Sequence, residues 1–393
     1  MKPKNTMTAS YAAVQASFWM TWCTSVSFAA VYLQGLGYGN GELGLVTAAG
    51  SLLGALLGPL LSARIDRDER ISAGRLIPPV LAAQAAALVL LLCFPVKGAV
   101  SSAGFALYMM FASSVNSLNL KLYSDAVYRG VQMDYGFARG MGSLFFVLLS
   151  LVLGLAVERS SVRAVPLAGL LMCALQYLAF RAFDRRLPES RAAAAGQAET
   201  GVSLSAFARK NRRFCVLLLG TVLIFFAHNI VCNFLINVTR NVGGDIGDMG
   251  VLNGFMAAVE IPVLLFYSTL FRRQSHASLL RAAFVFFALK AVAIAAAPNV
   301  TLLGAAFLLQ APSFALYAAA IVPYVSAVVS HEDSAKAQSL AFTMTTLGGV
   351  LANVIGGWML DRMPVSQVLW VACGICLAGT LVAVSGTEGR RKA

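Results

Sequence analysis

Glu260 is where the chain departs furthest from its background. Only 12% of the 393 residues are charged, and seventeen are acidic. Of those acids, Glu260 alone falls near the middle of a long apolar run. An ionisable group at the centre of a bilayer costs on the order of 2.5–3.5 kcal/mol on insertion scales and marks function by default. Lys290 falls near the middle of the next apolar run. At a rise of ~1.5 Å per residue the two lie at similar depth on antiparallel neighbours, so an ion pair is expected. Such a pair either fixes helix packing or exchanges a proton as cargo comes and goes. Glu260 and Lys290 are the candidate proton-coupling residues.

A second cluster holds Lys121, Asp125, Asp134 and Arg139, around the end of one run and the start of the next. A guanidinium is a rigid fork of donors suited to a carboxylate or to vicinal hydroxyls. The competing reading of Arg139 is a side chain snorkelling to the interface or paired with Asp125 or Asp134. Other polar and aromatic residues inside apolar runs could line a cavity: Trp19, Trp22, Asn119, His228, Asn229, Asn233, Gln310 and Tyr317. With Arg139 and Lys121 they form the candidate solute-binding set. His228 has the competing reading of an interhelical hydrogen-bonding residue.

Several chemistries find no support. No G-x-x-x-x-G-K-[ST] run is present, which argues against ATP-driven transport by this chain. No metal-ligand cluster or nucleophile–base pair stands out. No cofactor, metal or catalytic residue is expected, and the chain does not read as an enzyme. The seven cysteines all fall inside apolar runs, including Cys373 and Cys376, whose redox-like spacing reads as packing.

The elements that must position these residues follow from composition. The chain is 59% hydrophobic, and a soluble protein could not cover its surface with so few charges. Twelve apolar runs are long enough to cross hydrocarbon, near residues 11–34, 43–63, 76–95, 100–121, 138–157, 164–182, 213–236, 249–271, 278–297, 300–328, 337–360 and 366–387. The net charge of +13 could suggest nucleic acid, but the basic residues alternate by gap. With the N-terminus inside, outer gaps carry only Lys97, Arg159, Arg163, Arg240 and Arg362, and nearly all other Lys and Arg lie on inner segments. Both termini are therefore expected in the cytoplasm, in the inner (plasma) membrane of a cell. A polar linker over 184–212 separates an N-terminal half, 1–183, from a C-terminal half, 213–393. Residues 203–213 read equally as an amphipathic surface helix or as solvated linker. Gly50, Gly54 and Gly58 recur every four residues on the second span, a close-packing stripe.

The fifth run begins Ala138-Arg139 and ends Val157-Glu158-Arg159; the eleventh begins Ala337-Gln338 and ends Leu360-Asp361-Arg362. Weak internal symmetry of this kind is a transporter signature. At this point the residues resemble the major facilitator superfamily over the whole chain. The family's loop motif after the second span reads roughly G-x-x-x-D-R-x-G-R; here Ser62, Asp66, Arg67, Glu69 and Arg70 stand at those places. The resemblance makes Asp66, Arg67 and Arg70 the gating-loop candidates, with both glycines replaced. Asp134 to Ser143 resembles the D-Y-G-x-x-R-x-x-G-S segment of the branch holding lactose permease-like, nucleoside–proton and phenylpropionate transporters. That resemblance implies that Arg139 contacts solute. Glu260-Ile261-Pro262 is similar to the branch's E-x-P segment in the eighth span, whose acid links cargo to proton. Lys290 stands where an Arg is usual. Lys121 aligns near the lactose permease acid that faces its substrate Arg, and Gln310 and Ser313 near that permease's His and coupling Glu.

The expected fold is thus an all-α membrane protein, with twelve transmembrane helices in two pseudo-symmetric six-helix bundles. The expected function is secondary transport of a small polar solute (a sugar, oligosaccharide or nucleoside) by alternating access with proton symport. Lipid, solute and protons are the expected partners, without nucleic acid and with the chain as a monomer. Efflux of a drug or metabolite by proton antiport, uptake of an aromatic acid, and a non-transporting receptor or scaffold are the alternatives.

Overall fold

The computed structural model describes residues 3–67, 71–188 and 204–388. Among them there is no strand, and the chain divides into two compact units, Met1–Ala198 and Glu199–Ala393. Every buried peptide in lipid must satisfy its own hydrogen bonds, which restricts apolar spans of this length to helices.

In the first unit, α1 (Pro3–Trp22), a π-helical segment (Cys23–Ser27) and α2 (Ala29–Gly35) make one broken span. It is followed by α3 (Asn40–Arg67), α4 (Ala73–Cys93), α5 (Ala99–Tyr128), α6 (Tyr135–Arg159) and α7 (Ala164–Asp184). The second unit opens on the short α8 (Leu204–Lys210). Its seventh span is α9 (Arg212–Asn233) continued by α10 (Leu235–Asn241), followed by α11 (Ile246–Leu270) and α12 (His276–Ala295). The tenth span is composite: α13 (Val300–Phe307), a 3₁₀ turn (Leu308–Gln310), a π-helical segment (Ala311–Ala315) and α14 (Leu316–Val328). The eleventh runs through α15 (His331–Leu351), a π-helical segment (Ala352–Gly356) and α16 (Gly357–Leu360), and α17 (Val365–Gly386) is the last. Ten spans are long and apolar enough to cross a membrane by length and composition. The broken first span and α5 complete the twelve. α5 is diluted by Asn116, Asn119 and Lys121, and it runs to Tyr128, well beyond the expected end near 121.

Each unit repeats one packing plan. Its first span packs on its fifth and sixth, so that α1 meets α6 and α7, and α9 meets α15 and α17. Small residues set the distances. The glycine stripe of α3 packs on α5: a Cβ at Gly50 would meet Met109 Cβ at 2.8 Å, and one at Gly54 would meet Ser113 Cβ at 2.6 Å. Gly220 of α9 and Gly379 of α17 face each other backbone to backbone in the same way. α8 is docked by Phe207, which is fully buried against Phe214. Lys210 donates to Asp333 at 2.7 Å and to Ser330 at 3.0 Å.

Candidate functional site

In the first unit the polar residues gather where α1 meets α6. Asp134 precedes α6 and accepts from the Phe137 amide at 2.9 Å, satisfying one of the orphan donors of a helix start. That cap fixes where α6 begins and sets Arg139 in its second turn. Arg139 donates to Ser143 at 2.8 Å, one turn on. Its guanidinium lies over the Trp19 ring, 3.8 Å from the centroid. Trp19 is held by its indole N–H, which donates to Gln15 Oε1 at 3.3 Å. Gln15 donates to Tyr11 at 2.8 Å, and Tyr11 donates to the Asn119 carbonyl at 3.0 Å. Gly142 makes room for this arrangement, since a Cβ there would lie 2.5 Å from Trp19 Cδ1. The segment Asp134 to Ser143 therefore resolves into a cap, a cation, a gap for the indole and a hydroxyl acceptor.

The remaining first-unit candidates sit close by or on the same helices. Trp22 packs tilted against Trp19, with centroids 6.0 Å apart. Asn119 is buried and its side-chain Nδ2 has no protein partner. Lys121 lies within α5, 3.7 Å from Asp125 one turn away. Of the gating-loop candidates, Arg67 is exposed in the last turn of α3. Arg70 and the side chain of Asp66 lie outside the described residues.

In the second unit, four spans contribute one residue each to a continuous chain. Gln310 Nε2 donates to Glu260 Oε1 at 2.8 Å. Lys290 Nζ donates to Gln310 Oε1 at 2.7 Å. Lys290 Nζ also lies 3.2 Å from His228 Nδ1, a contact in which the neutral imidazole nitrogen is the acceptor. The expected Glu260–Lys290 pair is thus spanned by Gln310, and His228 is its fourth member. The surroundings are apolar and aromatic: Lys290 lies over the Phe287 ring at 4.7 Å, and His228 stacks on Phe314 at 5.2 Å. Lys290 is only 4% exposed. A buried ammonium survives only when paired and hydrogen-bonded, and here a carboxylate, an amide and an imidazole share that task.

Tyr317 falls in the aromatic core beside this chain, 5.0 Å from Phe225 and 5.9 Å from Phe284. Asn229 and Asn233 point instead toward the eleventh span. Asn229 packs near Gly349, and Asn233 donates to Asn353 at 2.7 Å in the π-helical segment. In both units the contact between first and fifth spans carries polar side chains, and in the second unit the Glu260 chain lies apart from it.

From the sequence His228 and Gln310 read as cavity-lining residues, His228 also as an interhelical hydrogen-bonding one, and neither is joined there to Glu260 and Lys290. The signal was present in part, because each is a polar residue inside an apolar run. Tyr11 carries no such signal.

Comparison with known proteins agrees with this architecture. No curated protein matches the chain significantly. Solved structures do. A mutant of the nucleoside transporter NupG superposes with a TM-score of 0.80 at 16% identity, covering 97% of this chain and 99% of the other. An auto-inhibited POT family peptide transporter gives 0.73 at 12% identity, covering 97% and 96%. A bacterial homologue of the human lysosomal transporter Spinster gives 0.66 at 13% identity, covering 98% and 95%. At such identities the likeness shows the fold. A family model described as "MFS_1 like family" matches residues 17–372, nearly the whole length. On that match the chain, with its apolar helices of membrane-crossing length, belongs to the MFS_1-like family of membrane transporters.

Proposed function

We propose that the chain is a proton-coupled symporter of a small polar solute bearing a ring, a sugar, oligosaccharide or nucleoside, working by alternating access as a monomer. In this reading it sits in the plasma membrane with both termini in the cytoplasm. The observation that carries the reading is the Glu260–Gln310–Lys290–His228 chain, which ties the one mid-span carboxylate, through the Gln310 amide, to a buried ammonium and an imidazole. In this reading Glu260 takes up the proton and Lys290 responds to its charge.

Arg139 stacked on Trp19 supports the solute side. A planar cation on an indole offers donors at its edge and a π surface, which suits a base or a sugar ring. Trp22, Asn119 and Lys121 extend that surface in the first unit; Asn229, Asn233 and Tyr317 are the candidates in the second. Asp125, 3.7 Å from Lys121, offsets that cation and favours a neutral solute over an aromatic acid.

The test is reconstitution into proteoliposomes with an imposed pH gradient, screened first against nucleosides and sugars. Wild type should accumulate the solute and carry protons with it. Glu260→Gln should lose gradient-driven accumulation while retaining solute exchange. Undiminished accumulation by that variant would remove Glu260 from the mechanism.

A further inference from the structure

Gln310 is a neutral amide with one donating end and one accepting end, and each end terminates on an opposite charge. Nε2 reaches the Glu260 carboxylate at 2.8 Å and Oε1 receives the Lys290 ammonium at 2.7 Å. Hydrogen bonds with a charged partner are about twice as strong as neutral ones. The two charges also polarise the amide in the same sense, so each bond strengthens the other. Gln310 is 3% exposed, which leaves little water to take over either bond.

The backbone at this point is the least regular part of the tenth span. Gln310 ends the 3₁₀ turn, and the next five residues form the π-helical segment, with Pro312 near its start. The α-helical ladder is therefore interrupted on both sides of the amide, and such breaks concentrate at functional sites. A cavity of about 20 Å³, room for roughly one water, lies against Gln310, Lys290, His228 and Cys232. Side-chain contacts thus hold a stretch that its own hydrogen bonds hold poorly.

On the reading that Glu260 is the proton-coupling acid, we infer that Gln310 is a positioning residue that latches the tenth span. Its amide holds the segment Leu308–Ala315 while Glu260 and Lys290 are both charged, and protonation of Glu260 releases it. The proton balance is simple. One proton from water adds to the Glu260 carboxylate and makes a neutral carboxyl, Lys290 keeps its ammonium, and no other bond to hydrogen breaks. The acceptor of the Nε2 bond loses its charge, and the polarisation that supported the Lys290 bond goes with it. The titratable groups at the amide and its cavity are Glu260 from α11, Lys290 from α12, His228 and Cys232 from α9 and Cys376 from α17, with Tyr317 of α14 farther off against Phe225. Glu260 is the carboxylic acid among these six.

Hydrogen–deuterium exchange of amides 308–315, in the full chain in lipid nanodiscs, tests the latch. Glu260→Gln and Gln310→Met should each raise exchange about tenfold, the order expected when a charge-assisted bond is lost. The double variant should rise no further than the larger single, because both changes break one connection. After correction for intrinsic exchange, wild type should loosen as pH falls through the titration of Glu260, and Gln310→Met should be flat. Additive effects, wild-type protection in Glu260→Gln, or a wild-type pH profile in Gln310→Met would each overturn the latch. Should Gln310→Met fail to fold, Gln310→Leu replaces it: it removes both bonds without adding a charge and should free the segment at neutral pH, and retained protection would overturn the inference. Solute-driven proton uptake by wild type is measured separately. Its absence sinks the coupling reading, whereas the exchange cycle alone decides the latch.

Discussion

Arg139 depends on a glycine. On the proposed reading its guanidinium meets solute with the Trp19 ring beneath it, and that ring occupies the volume a Cβ at position 142 would need. Gly142→Ala should therefore push Trp19 aside and weaken solute binding without touching a charged group. The measurement is solute affinity together with Trp19 fluorescence; unchanged values for both would show that the indole is not held where the structure puts it. Arg139→Lys keeps the charge and loses the planar stack and the fork. The expected loss is about tenfold in affinity, ~1.4 kcal/mol. Wild-type affinity would mean that charge alone matters there. Most of this site was legible, because Asp134, Arg139, Gly142 and Ser143 form one local motif and local hydrogen bonds follow from spacing along a helix. The Glu260 chain was legible only by half. Depth along a span can be counted from sequence, which brought Glu260 and Lys290 together. Which faces of the seventh and tenth spans turn toward them depends on helix rotation, and polar residues such as His228 and Gln310 do not declare it.

Helix positions were readable for a related reason. Span length is dictated by bilayer thickness and by the cost of unsatisfied peptides, so apolar runs and the charge of the gaps between them place the spans, although α5 runs past its expected end to Tyr128. The π-helical segments at Cys23–Ser27, Ala311–Ala315 and Ala352–Gly356 were invisible, since a one-residue slip in hydrogen-bond register leaves composition unchanged. Packing between elements gives a sharper prediction. α9 and α17 approach closely at Gly220 and Gly379, where a Cβ on Gly379 would lie 2.8 Å from Leu223 Cβ and 3.0 Å from the Gly220 carbonyl. Helix backbone cannot yield cheaply, so Gly379→Ala should cost about 1–3 kcal/mol and lower the melting temperature of the purified protein. A variant as stable as wild type would show that the two helices slide apart freely. The docking of α8 is electrostatic as well as apolar. Its Lys210 donates to Asp333 and holds that carboxyl below the usual carboxylate range. A depressed native pKa means that the stabilisation is full above the unfolded value of about 3.9 and is lost as pH falls through the native one. Hydrogen–deuterium exchange of the α8 amides, corrected for intrinsic exchange, should thus accelerate below about pH 4, and Asp333→Asn should exchange readily at every pH. Equal protection of variant and wild type would leave Phe207 as the whole anchor.

At the scale of the molecule, the outer surface reports the solvent. Leu167, Leu171 and Leu178 are each more than half exposed along α7, at a spacing that keeps them on one helix face. Trp370, Leu377 and Leu381 repeat the pattern along α17, with Leu381 74% exposed. In water, continuous apolar stripes of this kind would drive aggregation; against lipid tails they carry no penalty. The same surface leaves few charges for solubility, which is why the rare ionisable side chains of the interior stand out and why the sequence could be read at all. Two tryptophans separate the solvents. Trp370 is 51% exposed on the apolar stripe of α17, whereas Trp19 lies under Arg139 and bonded to Gln15. In single-tryptophan variants reconstituted with lipids brominated along their chains, quenching acts only on contact with hydrocarbon. Trp370 emission should be strongly quenched and Trp19 emission should be spared, and added solute should change the emission of Trp19 alone. Quenching of Trp19 as strong as that of Trp370 would place the α1–α6 seam against lipid, and no polar solute could then reach Arg139 there.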